Sequence, residues 1–185
     1  MSAPGAVAPA PLPDAGSLAR ALAALRIFFG LILFSNGLAK LFSFTEVFIG
    51  PYKATLIDRA EARAILGFEI NKRGGDGTDL PLLKSIVNNL VLDHWGIFQW
   101  LTTALELGAG LALILGIASR AAALAGLGQQ LFLQLVYFSS ARFMWEQPHE
   151  WVPLVILALV PAGRVWGLDA RLVDRGSRRL DRWPF

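Results

Sequence analysis

The sequence contains no cysteine among its 185 residues, and it has only two histidines and two methionines. The absence of cysteine excludes disulfide bonds, cysteine nucleophiles, iron–sulfur clusters and thiolate metal sites. Because His94 and His149 are the only imidazoles, we expect no metal site and no haem. Charge is also scarce, since charged residues make up 17% of the chain, compared with about 25% in soluble domains. Hydrophobic residues reach 55%, which is typical of membrane proteins.

Four segments of the chain are long and apolar, over residues 21–42, 95–117, 121–143 and 151–168. A helix needs about 20 apolar residues to cross roughly 30 Å of hydrocarbon, and each segment is close to that length. Pro161 is expected to kink or end the last helix. We therefore predict an all-α integral membrane four-helix bundle over residues 18–172. Residues 1–17 are predicted to be a disordered tail, and residues 173–185 a basic cytoplasmic tail.

The connection between the first two segments, residues 43–94, is long and has a structure of its own. Its patterns predict two helices, over residues 51–68 and 80–92, with a glycine-rich turn between them. On the side of the membrane opposite this connection, basic residues lie in short segments close to the predicted spans. Because such segments are typically cytoplasmic, we expect both termini to lie in the cytoplasm. The connection is then extracytoplasmic, in a bacterial inner-membrane protein. The C-terminal arginines favour binding to lipid head groups over nucleic acid.

Polar residues inside the predicted spans are the candidates for a functional site. Glu106 lies near the middle of the second span, where a carboxylate is costly and a site residue is the usual explanation. We predict a polar pocket around it that opens outward and holds a quinone head group, whose carbonyls need hydrogen-bond donors. The alternative is a set of inter-helix hydrogen bonds without a ligand. The other pocket residues come from three spans: Asn36, Lys40, Thr102, Gln130, Gln134 and Tyr137.

A seam of small residues runs along the second span. It repeats every fourth position and comprises Ala104, Gly108, Ala112 and Gly116. Small residues at this spacing allow the backbone of a neighbouring helix to approach closely. The seam predicts helix packing rather than chemistry.

Three motifs occur in a fixed order along the chain: Arg26-x3-Gly30-x6-Gly37-x2-Lys40-Leu41, then Glu106-x3-Gly110-x5-Gly116-x3-Arg120, then Gly163-Arg164-x2-Gly167-Leu168-Asp169. This series resembles the DoxX/DoxD family of four-helix bacterial membrane proteins. Residues 80–92 resemble the DoxD branch, the small subunit of thiosulfate:quinone oxidoreductase. The resemblance implies electron transfer from sulfur compounds to the quinone pool, together with a separate partner subunit.

Three hypotheses about function follow. The first is a membrane subunit of a quinone-linked redox complex, with quinone as the cofactor and Glu106 hydrogen-bonding the head group or relaying a proton. Its partners would be the lipid bilayer and a second redox subunit or another copy of the chain. The second is a non-catalytic scaffold or assembly protein for a redox or stress-response complex. The third is a carrier of protons or small solutes, suggested by the intramembrane acid.

Overall fold

The computed structural model describes residues 14–71, 80–138, 140 and 143–175, and helices account for most of them. The expected all-α class is confirmed. Most of the predicted N-terminal tail, the glycine-rich turn over residues 72–79 and most of the C-terminal tail lie outside the described residues.

The first helix, α1, spans Ala15–Phe42. Asp14 caps it, since Asp14 Oδ1 accepts a hydrogen bond from the backbone N–H of Ser17 at 2.6 Å. Hydrogen bonding from Ser17 lowers the pKa of the exposed Asp14 carboxyl. The helix ends where Ser43 adopts a left-handed conformation at φ 57°. Residues 15–17, which we assigned to the tail, are therefore helical.

The connection after α1 begins with a β-hairpin in place of the helix predicted from residue 51. Strands β1 (Glu46–Ile49) and β2 (Tyr52–Thr55) pair antiparallel, with Ile49 opposite Tyr52. Gly50 provides the positive φ of 59° that the two-residue turn requires, and Pro51 follows it. Aromatic and β-branched residues on both sides of this turn favour strands. The prediction of a helix over residues 51–58 was therefore wrong.

The rest of the connection is helical. Helix α2 spans Arg59–Asn71, so the second half of the predicted helix is present. Helix α3 spans Pro81–Ile86 and continues directly into a π-helical segment over Val87–Leu92. This agrees with the helix predicted over residues 80–92, although the π-helical geometry was not foreseen.

Three further helices complete the core. Helix α4 spans Trp95–Leu115, α5 spans Ser119–Val136, and α6 spans Pro148–Leu159. We call the tight connection between α4 and α5, residues 116–118, the turn end of the molecule. The opposite end, where residues 43–94 connect α1 to α4, is the loop end. After α6 follow a 3-10 turn over Ala162–Arg164 and helix α7, Asp169–Arg175.

Helix α6 ends where Pro161 predicts. Its last residue is Leu159, and Val160 is already extended with φ −108° and ψ 142°. A residue that precedes proline disfavours the helical conformation, and proline itself lacks the N–H that the helix needs. The fourth predicted span is therefore a helix of 12 residues followed by an irregular segment.

The helices pack around two apolar cores. Helix α1 packs against α4, α4 against α5, and α5 against α6. The first core joins residues of all four of these helices and one residue of the 3-10 turn: Leu33, Ala109, Leu113, Ala122, Ala123, Leu154, Leu157, Ala158 and Ala162. The second lies at the loop end, beneath α2 and the π-helical segment: Leu66, Ile70, Val87, Val91, Trp95 and Val136. The long connection is thereby part of the folded structure.

Two of the described helices are long and apolar enough to cross a membrane. They are α1 and α4, with mean hydropathy 1.9 and 1.4 over their most apolar windows. Helix α5 carries three glutamines, and α6 at 12 residues is only about 18 Å long. Neither meets the same test of length and hydropathy. Two of the four predicted spans are confirmed on this criterion.

Candidate functional site

Glycines bring α1 and α4 into backbone contact and thereby fix how far along each helix the site residues lie relative to one another. A Cβ atom at Gly110 would lie 2.5 Å from the backbone nitrogen of Phe34, and one at Gly37 would lie 2.8 Å from that of Leu107. Both distances are shorter than real Cβ contacts, so only glycine fits at these positions. The two antiparallel helices are consequently held in one register. In that register Lys40 lies beside Glu106.

Lys40 and Glu106 form a buried ion pair. Lys40 Nζ lies 2.8 Å from Glu106 Oε2, and the two side chains are 6% and 5% exposed. The contact is an ion pair rather than a well-directed hydrogen bond, because Glu106 Oε2 has no partner with hydrogen-bond geometry among the described residues. Two charges removed from water cost several kcal/mol each before their attraction is counted, so such a pair is weak evidence for stability. Because Glu106 lies in the middle of the apolar helix α4, we treat the pair as a candidate functional site.

Each partner of the ion pair has a further contact. Gln129 Nε2 donates to Glu106 Oε1 at 2.5 Å, and Lys40 Nζ donates to the carbonyl oxygen of Ile57 at 3.1 Å. Gln129 was not among the predicted pocket residues, although its neighbour Gln130 was. The direction of each α5 side chain depends on how α5 is rotated against α4, which the sequence pattern did not determine. The site thus joins α1, α4, α5 and the chain just before α2.

The predicted pocket residues Asn36 and Thr102 have different positions. Asn36 lies one turn before Lys40, and its Oδ1 accepts from the backbone N–H of Ile57 at 3.2 Å. It therefore holds the same backbone position that Lys40 contacts. Thr102 instead donates within its own helix, with Oγ1 lying 3.0 Å from the carbonyl oxygen of Gln99 and 3.1 Å from that of Phe98. Its hydroxyl makes no described contact with Glu106.

The remaining predicted residues lie on α5 and just after it. Gln134 is completely buried, and its Nε2 donates to Glu150 Oε2 at 3.0 Å, near the start of α6. Gln130 is half-buried and lies one turn before Gln134 on α5. Tyr137 is half-buried and follows the last residue of α5. These residues extend from the level of the ion pair towards the loop end.

A second buried polar cluster lies at the turn end. Arg26 has no exposed surface and donates to the carbonyl oxygens of Leu113 at 2.8 Å and Trp166 at 3.2 Å. The carboxylate of Asp169 accepts from the backbone N–H groups of Ala118 and Ser119 at 2.7 and 3.1 Å. It also accepts from the Ser119 hydroxyl at 2.8 Å.

This second cluster fixes the C-terminal segment against the α4–α5 turn. Asp169 thereby caps the start of α5. A fully buried carboxylate at a helix N-terminus satisfies N–H groups that otherwise lack partners. We therefore interpret the contacts of this cluster as stabilising the fold rather than as part of a binding site.

The seam of small residues is only partly used for packing between the described helices. Gly116 lies in the turn at φ 64°, but an added Cβ at Gly108 would meet no described atom within 4 Å. Helix α1 packs instead against the α4 face that carries Gly110. An open apolar groove of about 310 Å³ lies between α4 and α5. It is lined by the seam residues Ala104, Gly108 and Ala112, together with Ala118, Ala121 and Ala125. The close approach that we predicted for this seam does occur on α4, but on a neighbouring face.

The two long apolar helices and the buried ion pair between them define a helical membrane protein. Residues 21–139 match the model of the DoxX family, and the chain belongs to that family. The match includes the whole ion-pair site and the first two of the three ordered motifs. No curated protein matches the chain, and no solved structure matches it.

Proposed function

We propose that this chain is a four-span subunit of a quinone-linked redox complex in the bacterial inner membrane, with both termini in the cytoplasm. The observation that carries the proposal is the buried Lys40–Glu106 pair with Gln129. In this arrangement α5 and the α6 segment up to residue 168 complete the four-span bundle. The quinone head group would bind beside the pair, towards the loop end.

Lys40 supplies the donor that a quinone needs. An ammonium group has three N–H donors, and those of Lys40 have two described partners, Glu106 and the carbonyl oxygen of Ile57. The third donor is available to a quinone carbonyl oxygen. A charged donor strengthens this hydrogen bond, and the surrounding apolar helices suit the isoprenoid tail. Because reduction of a quinone consumes two electrons and two protons, Glu106 would relay protons while a partner subunit supplies the electrons.

The proposed sulfur substrate comes from the resemblance to the DoxD branch. Thiosulfate:quinone oxidoreductase activity would need a second subunit, since this chain has no cysteine. We therefore assign thiosulfate oxidation to the partner and quinone binding to this chain.

The test is thiosulfate-dependent reduction of decyl-ubiquinone in purified membranes that contain the complete complex. We expect Glu106→Gln and Lys40→Met to lower the rate at least tenfold. The matched control is Glu46→Gln, because Glu46 is an exposed glutamate that pairs with Lys53 on the hairpin. A Glu106→Gln rate equal to that of the wild type would contradict the proposal.

Direct binding separates the quinone site from the choice of substrate. Quinones quench tryptophan fluorescence, so a titration with decyl-ubiquinone gives a Kd without any turnover. Lys40→Met is expected to weaken this Kd at least tenfold, and Lys53→Met is expected to leave it unchanged. Normal binding without thiosulfate oxidation would remove only the sulfur substrate from the proposal.

A scaffold role is the second candidate, and the open groove favours it. Ala104, Gly108 and Ala125 present a surface of small side chains in which a transmembrane helix of a partner subunit can pack closely. Because the chain has no cysteine, Gly108→Cys introduces a single thiol for cross-linking in membranes. A cross-link to a partner at this position, with normal quinone reduction in Glu106→Gln, would favour the scaffold.

A further inference from the structure

Three glutamine side chains on α5 have buried carbonyl oxygens that lack a hydrogen-bond donor. These are the Oε1 atoms of Gln129, Gln130 and Gln134, and no donor reaches them from the part of the chain that the structure describes. Gln134 has no exposed surface at all. An unsatisfied buried carbonyl costs about 1–3 kcal/mol, and three of them in two helical turns require an explanation.

The orientation of two of these amides follows from their partners. Gln129 donates to Glu106, and Gln134 donates to Glu150. A carboxylate only accepts hydrogen bonds, so the amide nitrogen must face it in both cases. The carbonyl oxygens consequently point away from the carboxylates, and exchanging the amide oxygen and nitrogen would create two unfavourable contacts. The carbonyl oxygens of Gln129 and Gln134 therefore lack a donor because the two carboxylates fix the orientation of their amides.

The acceptors lie along the second half of α5, and Gln129 lies about 100° around the helix from Gln130. From Gln129 to Gln134 the helix advances about 7.5 Å, and Gln130 and Gln134 lie one turn apart on the same face. Gln129 contacts Glu106 at one end of this stretch, and Gln134 contacts half-buried Glu150, near the start of α6, at the other. Two water molecules in series, with O···O distances of about 2.8 Å, would cover the turn between the last two carbonyls.

Water is the ligand that best fits these oxygens. One water molecule has two donors, so it can satisfy two carbonyls at once and still accept from another water. Buried waters are common, about one for every 27 residues, and they occur at otherwise unsatisfied polar groups. A quinone in its oxidised form has only acceptor oxygens, and it would leave these carbonyls without donors.

We propose that the loop-end half of α5 holds a file of buried water molecules that connects the Lys40–Glu106 pair to the aqueous phase beside Glu150. The file gives the ion pair a proton connection to the loop end of the molecule. The existence of this file does not depend on quinone binding. Its use in protonating a reduced quinone rests on the proposed function.

The test uses the full chain in lipid nanodiscs without any quinone, with ¹⁵N label in its glutamines. In the wild type we expect magnetisation transfer between water and the side-chain amides of Gln129 and Gln134. In Gln134→Met, which keeps the size of the side chain but removes its polar atoms, hydrogen–deuterium exchange of the Gln129 amide should slow at least tenfold. Exchange in a Gln99→Leu control should be unchanged, because Gln99 bonds within its own helix.

Glu150→Gln gives a second variant in case Gln134→Met does not fold. It removes the carboxylate at the mouth of the file and should slow the same exchange, whereas Glu146→Gln, a change at an exposed site four residues earlier, should not. The absence of any water contact at Gln134 in the folded wild type would overturn the proposal. Equal Gln129 exchange in the wild type and in folded Gln134→Met or Glu150→Gln would also overturn it.

Discussion

Separate removal of the two charges of the ion pair should be far more damaging than their joint removal. Lys40→Met leaves the Glu106 carboxylate buried with Gln129 as its remaining donor, and Glu106→Gln leaves the Lys40 ammonium with only the carbonyl oxygen of Ile57. Unpairing a buried ion typically costs about 3–5 kcal/mol. The hydrogen bond that each group retains places our expectation for each single variant near the lower value, about 3 kcal/mol.

The double variant Lys40→Met/Glu106→Gln leaves no buried charge at this site. Replacing a buried ion pair by neutral groups of similar size is often close to neutral, so we expect it to lose no more than about 1 kcal/mol. The coupling between the two positions is then large, since the two single losses add to about 6 kcal/mol.

The measurement is the free energy of unfolding in mixed micelles, obtained from a denaturant titration of each variant. The exposed pair Lys53–Glu46 provides a matched control, because its side chains are 49% and 44% exposed. The same cycle on that pair should give a coupling of about 0.2–1 kcal/mol. If the losses at Lys40 and Glu106 add to within about 0.5 kcal/mol, the two groups do not interact and the reasoning is refuted.

Three further predictions concern packing, capping and orientation. Gly110→Ala should lower the stability of the protein by about 1–3 kcal/mol because α1 must move away. Gly108→Ala, at a position that faces the open groove, should leave the stability unchanged within about 0.5 kcal/mol. Thermal unfolding of the two variants in detergent provides the comparison. Asp169→Ala should destabilise by about 2 kcal/mol or more, and Ser119→Ala by less, because the carboxylate accepts three bonds from the turn. With both termini cytoplasmic, an impermeant maleimide added to intact spheroplasts should label Lys53→Cys; failure to label it unless the membrane is permeabilised would reverse the orientation.

Patterns with a single strong cause were predictable from the sequence. The apolar length of α1 and α4 predicted both helices, and Pro161 predicted where α6 ends. The cost of a carboxylate in hydrocarbon singled out Glu106, and Lys40 was placed in the same pocket. These inferences depend on local chemistry or on the bilayer, and neither requires knowledge of how the helices pack.

Features that depend on the packing of distant segments were not predictable. The contact of Gln129 with Glu106 follows from the rotation of α5, which the polar stripe through Gln130 did not determine. Thr102 lay on the expected face of α4, yet its hydroxyl bonds within the helix, as threonine side chains can do wherever the i−4 carbonyl is available. In the connection, a helical spacing of apolar residues concealed the strand preference around Gly50.

The cap that Asp169 provides for the α4–α5 turn has a consequence for biosynthesis. The backbone N–H groups of Ala118 and Ser119 donate to the Asp169 carboxylate, which lies about fifty residues later in the chain. These groups therefore lack this acceptor until the ribosome has synthesised residue 169. The start of α5 must therefore form first without this cap, and the final arrangement of the turn forms only after translation has passed position 169. A chain that ends before that residue would lack the acceptor for the first backbone N–H groups of α5.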